Sequence, residues 1–297
     1  MLTLHELEAW SFPGTALAVL GHPITHSLSP LMHNSALANL ALTEPAYGDW
    51  RYFRFDVPPA DLPQALATLY VRGFRGINLT VPHKILALNE VTLIDPAALP
   101  VGAINTLRHT QEGWMGFNTD GYGLATAVQE SLGLKIRDRP VVLLGAGGAA
   151  RGAAVECLQR HCASLWIANR TAETLAALLA DLRPIAHGIP LHGFAPGHVP
   201  ADLPADALVI NATSSGMRAD DAPPANLSDL PRPAGVFDMI YNPPLTPLLQ
   251  AARNLHLPQA NGLAMLVHQG AKALEIWSGV AAARTAPMMA AALQSTN

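Results

Sequence analysis

The stretch VVLLGAGGAARG, residues 141–152, decides the fold prediction, because a β-like apolar run ends in a glycine-rich turn and continues as a helix-like segment. The spacing Gly145-x-Gly147-x-x-Ala150 in this context is typical of a dinucleotide-binding turn. Gly145 permits the tight turn, Gly147 lets backbone amides approach a pyrophosphate, and Ala150 allows close helix–strand packing. The stretch therefore predicts a phosphate site at a helix N-terminus. A glycine-rich packing turn without a ligand stays open as the alternative.

The segments around this turn alternate between strand-like and helix-like patterns, which predicts an α/β sheet. A Pro- and Asp-rich segment at 218–233 reads as a surface loop, and 259–279 reads as a turn entering a long helix. Strands are expected at 140–147, 164–170, 207–214 and 235–241, with helices at 148–161 and 171–182.

The first part of the chain shows a second pattern of the same kind, a βαβαβ series followed by a hairpin and the start of another helix. The boundary between two α/β domains is therefore expected near 120–123. Strands are expected at 16–21, 52–57 and 76–81, helices at 30–42 and 59–71, and the hairpin over 102–118.

Length and composition bound the class of protein. The 297 residues suggest two domains, and 50% hydrophobic against 13% charged residues favours extensively buried sheets. A net charge of −4 without a Lys/Arg cluster argues against nucleic acid and membrane partners, and the absence of a leader pattern predicts a cytoplasmic protein. Cys157 and Cys162 match no redox or zinc spacing, and the 12 histidines form no ligand motif, so no metal is predicted.

The end of the strand at 164–170 indicates which dinucleotide is bound. An NAD-selective site presents an acidic residue there to the ribose 2′-hydroxyl, whereas this chain has Asn169 and Arg170. A guanidinium can pair with a 2′-phosphate, so NADP is favoured, with a solvated surface arginine as the alternative. Thr213 and Ser214, at the end of a later strand, are expected over the same sheet edge.

Residues with reactive chemistry occur in the first domain. Lys84 follows a strand-like run in GINLTVPHK, and it is one of only three lysines against fifteen arginines. A lysine shielded from water can exchange a proton near neutral pH, which an arginine cannot. Asn105 and Asp120 end extended runs nearby. A solvated lysine at a helix start, and an Asp120 that only caps a turn, are the alternatives.

Ser27-Leu28-Ser29-Pro30 precedes a helix-like run. Pro30 suits the first helical position and Ser29 the N-cap. In an extended approach the hydroxyls of Ser27 and Ser29 point to the same side, and a helix N-terminus favours an anion. The stretch therefore predicts both a cap and an anion site.

Taken together, these residues resemble the shikimate dehydrogenase family over almost the whole chain. The resemblance rests on nine ordered motifs: PITHSLSP, GINLTVPHK, GAINT, GFNTDG, GAGGAARG, NRT, NATSSG, FDMIY and NGLAMLVHQGA. It implies an N-terminal α/β substrate domain over 1–121, completed by C-terminal helices at 259–297, and a Rossmann-type NADP domain over 122–258. The implied reaction is the NADPH-dependent reduction of 3-dehydroshikimate to shikimate.

The resemblance also implies roles for individual residues. Lys84 would be the acid/base residue, with Asp120 as its partner. Substrate would be bound by Ser27, Ser29, Thr80, Asn105, Tyr241 and Gln269. NADP(H) would be bound by Gly145, Ala146, Gly147, Gly148, Ala149, Asn169, Arg170, Thr171, Thr213 and Ser214, with Met239 and Gly262 bracketing the nicotinamide.

The chain departs from the family pattern at two positions, and alternatives to the implied function stay open. Thr174 stands where NADP-selective members often have a second basic residue, and Ala264 replaces a common glycine. Within the family, a quinate/shikimate or aminoshikimate dehydrogenase is the main alternative. A non-catalytic dinucleotide-sensing module is the alternative from another class. The assembly is expected to be a monomer or a homodimer.

Overall fold

The computed structural model describes residues 2–218 and 220–294, and the chain forms two compact units. One consists of Met1–Thr119 with Val267–Asn297, and the other of Asp120–Leu266. The return of the chain to the first unit is therefore later than the predicted residue 259. The reason is that Gln259–Asn261 forms a strand in the sheet of the second unit, pairing in parallel with Gly235–Asp238.

The first unit contains a mixed seven-stranded sheet of order β1-β3-β2-β4-β6-β7-β5. Its central strands are parallel, and the β6–β7 hairpin adds the antiparallel part. The elements are β1 (Leu2–Thr3), α1 (Leu4–Glu8), β2 (Ala16–Gly21), α2 (Ser29–Ala41), β3 (Arg51–Asp56), α3 (Leu62–Val71), β4 (Gly76–Leu79), α4 (His83–Leu86), β5 (Leu93–Ile94), β6 (Thr106–Thr110) and β7 (Gly113–Phe117).

The second unit contains an all-parallel six-stranded sheet of order β10-β9-β8-β11-β12-β13. Every residue of β9 and β11 is buried, as expected for a parallel sheet covered on both faces. The elements are α5 (Asp120–Leu132), β8 (Pro140–Leu144), α6 (Gly148–Gln159), β9 (Ser164–Ala168), α7 (Ala172–Leu182), β10 (Leu191–Phe194), β11 (Leu208–Asn211), β12 (Gly235–Asp238), α8 (Pro247–Asn254) and β13 (Gln259–Asn261). The chain then returns to the first unit, at Val267 within α9 (Leu263–Ser278), and continues with α10 (Ala282–Gln294).

Trp277 on α9 fixes that helix to the first sheet. Its indole Nε1 donates to the Leu107 carbonyl at 2.9 Å, and a Cβ placed on Gly76 would lie 2.1 Å from the same nitrogen. Only glycine on β4 allows so close an approach. Because Trp277 is 1% exposed, truncating it to alanine would cost about 3–5 kcal/mol.

The predicted two-domain α/β fold is confirmed, while some elements differ from the prediction. Strands β10 and β13 were not predicted, because LHGF and QAN lack the apolar runs of the central strands. Helix α8 was also missed, although Thr246 caps it by accepting a hydrogen bond from the amide of Leu249.

The predicted N-cap at Ser29 is wrong. Helix α2 begins at Ser29, and its N-cap is Leu28, whose φ of −83° and ψ of −9° are already helical. The segment is thus not extended, so the two serines do not share a side by strand periodicity. Instead the Ser27 hydroxyl accepts a hydrogen bond from the Ser29 amide at 3.3 Å, and so satisfies one of the free amides of the helix start.

Two kinds of feature do not occur within residues 2–218 and 220–294. No helix there has the length and apolar character needed to cross a membrane. Within the same ranges, His, Cys, Asp and Glu side chains form no group of three or more that could hold a metal ion.

Candidate functional site

Most of the predicted substrate residues of the first unit follow or precede strands at one edge of its sheet. Ser27 lies in the loop after β2, and Thr80 directly follows β4. Asn105 precedes β6, which is antiparallel to β4, so it lies at the same edge, and its carbonyl accepts from the Leu79 amide at 2.8 Å. Parallel strand ends and the start of an antiparallel neighbour thereby bring these side chains to one place.

Asn105 is the most constrained of them. It is 1% exposed, and its Oδ1 accepts from the Thr119 amide at 2.9 Å and from the Thr106 hydroxyl at 2.9 Å. Its Nδ2 donates to the Thr119 hydroxyl at 3.0 Å and approaches Gln269 Oε1 at 3.5 Å. Asn105 and Gln269, two of the predicted substrate residues, therefore lie close together.

Lys84 lies at the start of α4, after the turn that Thr80 opens. The Thr80 carbonyl accepts from the His83 amide at 2.8 Å, and the Lys84 carbonyl accepts from the Ile104 amide at 2.8 Å. These two bonds hold the backbone of Lys84 against the segment that leads to Asn105. The Lys84 side chain is half-buried, which suits a group that must meet a ligand and still exchange protons.

His83 anchors the other side of this turn. It is fully buried, its Nε2 lies 2.8 Å from the Val57 carbonyl, and burial lowers its pKa from the ordinary 6.5. Beside it, His22 Nδ1 lies 2.9 Å from Asp56 Oδ1 at the end of β3. His83 therefore remains neutral and fixes the turn that carries Lys84.

Asp120 and Tyr241 belong to the second unit. Asp120 is the first residue of α5 and is half-buried. Beside it, a Cβ on Gly121 would lie 2.3 Å from Glu156 Oε2, so glycine is required for the approach of α6 to this helix start. Burial raises the pKa of Tyr241 above its usual 10.0. The predicted pairing of Lys84 with Asp120 stays a prediction.

The glycine-rich turn has the geometry predicted for it. Gly145 has a φ of +110°, and a Cβ there would lie 2.9 Å from the Thr213 methyl group. Around Gly147 and Gly148, by contrast, no atom lies within 4 Å of a Cβ position among the residues the structure describes. Ala150 is fully buried, consistent with close helix packing. Gly145 is thus required by the fold, whereas Gly147 and Gly148 leave space beside the N-terminus of α6.

A cavity of about 580 Å³ opens above this turn. Of the predicted cofactor residues, those lining it are Gly145, Ala146, Gly147, Asn169, Arg170, Thr213 and Ser214, whereas Gly148, Ala149, Thr171, Met239 and Gly262 do not. Asn169 Nδ2 donates to the Thr171 carbonyl at 2.9 Å, and Arg170 is exposed. Residues 222–226 and Asp229 form another wall, so the segment predicted only as a surface loop belongs to this site.

Thr213 is supported from below by polar residues that the sequence prediction did not include. Its amide and hydroxyl donate to Asn211 Oδ1 at 3.0 and 2.8 Å. Asn211 in turn donates to Asp238 Oδ1, and Asp238 Oδ2 accepts from the Thr246 hydroxyl at 2.6 Å. Burial raises the pKa of Asp238, while its hydrogen bonds from Thr246, the Ile240 amide and Asn211 oppose that rise. The signal for this network was Asn and Asp at the ends of two adjacent strands.

Met239 and Gly262, predicted to bracket the nicotinamide, are in contact. A Cβ on Gly262 would lie 2.1 Å from the Met239 carbonyl oxygen, and the Gly262 amide donates to the Ile240 carbonyl at 3.1 Å. Only glycine fits at position 262, because the obstacle is backbone rather than a flexible side chain.

The fold and the site define a class of protein, a two-domain α/β protein with a Rossmann-type dinucleotide-binding unit. Family models for the shikimate dehydrogenase substrate binding domain and the shikimate 5′-dehydrogenase C-terminal domain match residues 19–107 and 262–293. A shikimate dehydrogenase (NADP(+)) of Symbiobacterium thermophilum is 39% identical over 271 residues, which cover 90% of both chains. The chain belongs to the shikimate dehydrogenase family.

Two solved structures show how widely this fold is used. Shikimate 5-dehydrogenase of Thermus thermophilus, in complex with NADP(H) and shikimate, matches with a TM-score of 0.78 and 33% identity, over 94% of this chain and 99% of that one. The ligand-free 5-ketofructose reductase of Gluconobacter sp. strain CHM43 matches with a TM-score of 0.79 and 30% identity, over 94% and 99%. The substrate must therefore be inferred from the site residues, not from the fold.

Proposed function

We propose that this protein catalyses the reversible NADPH-dependent reduction of 3-dehydroshikimate to shikimate. The observation that carries the proposal is the set of hydroxyl, amide and ammonium groups at one sheet edge of the first unit, on Ser27, Thr80, Lys84 and Asn105. A ring with a carboxylate and several hydroxyl groups needs several such polar side chains around it. Relatives named as NADP-dependent shikimate dehydrogenases support the same substrate.

The second unit fits NADP(H) as the cofactor. The cavity above the glycine-rich turn, the space beside Gly147 and the exposed guanidinium of Arg170 suit a pyrophosphate and a ribose 2′-phosphate. Thr213 and Ser214 would line the same cavity, with Met239 and Gly262 beside the nicotinamide. When bound, the reduced cofactor supplies the hydride for the carbonyl group.

The substrate roles follow from the chemistry of the side chains. Ser27 and Ser29, at the N-terminus of α2, would bind the carboxylate of the substrate. Tyr241 would bind at the same carboxylate end. Thr80, Asn105 and Gln269 would hold the ring hydroxyl groups through hydrogen bonds. Buried polar groups of this kind discriminate strongly, because an analogue that lacks a hydroxyl leaves them unpaired.

Lys84 is the proposed proton donor. Reduction of the carbonyl develops negative charge on its oxygen, and the Lys84 ammonium would give that oxygen a proton, then recover one from solvent. Asp120 is the proposed partner that orients the ammonium. An arginine in place of Lys84 could not donate this proton, since its guanidinium holds its proton at every physiological pH.

The experiment that tests the proposal is steady-state kinetics with a small panel of substrates. We expect kcat/KM to be highest for shikimate with NADP, among shikimate and quinate each tested with NADP and with NAD. Reduction of 5-ketofructose with NADPH is the fifth arm, because the Gluconobacter structure shares the fold. Preference for quinate or 5-ketofructose would replace the proposed substrate, and no turnover with binding of NADP would indicate a dinucleotide-sensing module.

The same proposal includes a place in aromatic amino acid biosynthesis, a cytoplasmic location and a monomeric or homodimeric assembly. The net charge of −4 and the absence of a Lys/Arg cluster from the sequence support a small-molecule partner over nucleic acid. Sedimentation velocity of the purified protein would distinguish a monomer from a homodimer.

A further inference from the structure

We propose that Tyr52 is a positioning residue for Asn105, and that it makes Asn105 a hydrogen-bond donor to substrate; this inference rests on the proposed function. Tyr52 lies on β3 and is 2% exposed. Its hydroxyl donates to Asn78 Oδ1 at 2.8 Å, across the intervening strand β2. Burial keeps the phenol protonated by raising its pKa, and a side-chain hydrogen bond with Ser29 opposes that rise.

The hydrogen bonds run in one direction from Tyr52 to Asn105. Since Asn78 Oδ1 accepts from Tyr52, its Nδ2 faces the other way and donates to the Asn105 carbonyl at 3.1 Å and to the Thr106 hydroxyl at 3.0 Å. The Thr106 hydroxyl then donates its only proton to Asn105 Oδ1 at 2.9 Å. Each donor thereby determines the orientation of the next group.

The polarity of Asn105 follows from this chain. Its Oδ1 accepts from Thr106 and from the Thr119 amide, both buried, and its Nδ2 points toward the Thr119 hydroxyl and Gln269. An amide with its oxygen held in this way presents N–H toward the site. Asn105 would thus donate to a substrate oxygen, and a rotated amide would place an acceptor there instead.

His33 holds the ring of Tyr52 in place. The two rings stack with centroids 4.2 Å apart and an interplanar angle of 1°. His33 is fully buried, and neither ring nitrogen has a hydrogen-bond partner among the residues that the structure describes. A neutral His33 packed flat on Tyr52 leaves the phenol one orientation, with its hydroxyl on Asn78.

The unit contains a matched control for the test. Tyr70 also stacks on a histidine, His109, at 4.1 Å and 5°, and its hydroxyl donates to the Thr110 carbonyl at 2.7 Å. Tyr52→Phe and Tyr70→Phe each remove a hydroxyl from a tyrosine that stacks on a histidine, although Tyr70 is only half-buried, and only the first removes the donor to Asn78. Tyr52→Phe also removes the hydrogen bond with Ser29, a proposed substrate residue, so the decisive variant is one that leaves this bond in place. Thr106→Val breaks the chain at a second point with nearly unchanged volume.

We expect Tyr52→Phe and Thr106→Val to raise the KM for shikimate about 3- to 10-fold, because each breaks the chain of hydrogen bonds that orients Asn105. The KM for NADP should stay within about two-fold, and Tyr70→Phe should change neither. A rise in both KM values, equal effects of the two phenylalanine variants, or an effect of Tyr52→Phe that Thr106→Val does not share, which would point to Ser29 instead, would refute the positioning role.

A second readout needs no substrate. The side-chain amide signals of Asn105 in a ¹H–¹⁵N spectrum, assigned with Asn105→Ala, should move in Tyr52→Phe and Thr106→Val and stay in Tyr70→Phe. Unmoved signals would overturn the inference even if shikimate is turned over. If the wild-type protein does not oxidise shikimate, the proposed function fails, and these signals still decide whether Tyr52 orients Asn105.

Discussion

The Asn211 amide donates to the Asp238 carboxylate at 2.9 Å across two neighbouring parallel strands, and this bond sets the Asn211 oxygen beneath Thr213. Asp238 is fully buried and accepts from three donors, the third being the Ile240 amide at 3.0 Å. The carboxylate therefore supports the cavity of the second unit from inside the sheet.

Asp238→Asn should weaken this support. The new amide cannot accept from all three donors, so one buried group loses its partner, at about 1–3 kcal/mol of unfolding free energy. We expect the KM for NADP to rise several-fold while the KM for shikimate is nearly unchanged. Chemical denaturation and steady-state kinetics measure the two effects. An unchanged KM for NADP would separate this network from the cofactor site.

Gly147→Ala tests whether a glycine serves the ligand and not the fold. Its φ of −83° and ψ of −170° suit alanine, and the Cβ would meet no described atom within 4 Å. The unfolding free energy should change by less than about 0.5 kcal/mol, yet the KM for NADP should rise about tenfold or more, because the Cβ takes space meant for the pyrophosphate. Gly262→Ala should instead lower the unfolding free energy clearly, because its Cβ would collide with the Met239 carbonyl oxygen.

Arg170→Ala should raise the KM for NADP far more than the KM for NAD, because only NADP carries the 2′-phosphate. Arg183→Ala, which removes an exposed arginine that does not line the cavity, is the control. Equal effects on both cofactors would refute the assignment.

Thr174→Arg should strengthen the preference for NADP over NAD, whereas Arg170→Ala should weaken it. Thr174 is exposed on the first turn of α7, four residues after Arg170, so an arginine there adds a second positive charge near the proposed 2′-phosphate. We expect the ratio of kcat/KM for NADP over NAD to increase, and an unchanged ratio would show that this position does not face the phosphate.

Lys84→Ala should reduce kcat by about 10²–10⁴-fold, as expected for loss of a proton donor. Lys84→Arg keeps the charge and should remain impaired, since arginine cannot release the proton. Lys135→Ala, at an exposed position of the second unit, is the control. Turnover that survives in Lys84→Ala would remove this residue from the chemistry.

His33 should make stability depend on pH. Its pKa is 6.5 in the unfolded chain and about 3 in the folded one, because burial disfavours the charged ring. The unfolded state thus binds more protons between these values, and stability falls as the pH falls through this window, by about 1.4 kcal/mol per pH unit. His33→Phe keeps the stack and removes this dependence. The difference in unfolding free energy between variant and wild type should shift by about 1.6 kcal/mol between pH 6.5 and pH 5, because the slope is only half its full value at the unfolded pKa.

The sequence predicted those parts of the molecule that depend on local patterns. The buried strands β2, β8 and β11 have long apolar runs, and Gly145 and Ala150 have spacings that allow few other structures. Strand β13 could not be predicted, since Gln-Ala-Asn becomes a strand only because β12 lies beside it. Ser29 was misplaced because the helical dihedrals of Leu28 have no signal in the sequence.

The candidate site divides in the same way. Residues in motifs, such as Lys84 and Asn105, were predicted, whereas those that act through other side chains were not. Tyr52 and Asn78 lie on different strands, and their hydrogen bond depends on the sheet order and on the His33 stack. Contacts of this kind depend on tertiary structure, so they could not be predicted from a single sequence.

The proline-rich segment that walls the nucleotide cavity has a consequence for engineering. Asp221 holds its start by accepting from the amides of Gly216 and Arg218, and Ser215 donates to the Ala222 carbonyl at 2.7 Å. The composition of this segment suggests a surface loop that could be exchanged without effect. Exchanging it would instead change the shape of one wall of the cavity. Exchanging this segment offers a route to altered coenzyme selectivity that leaves the glycine-rich turn and the reaction residues untouched.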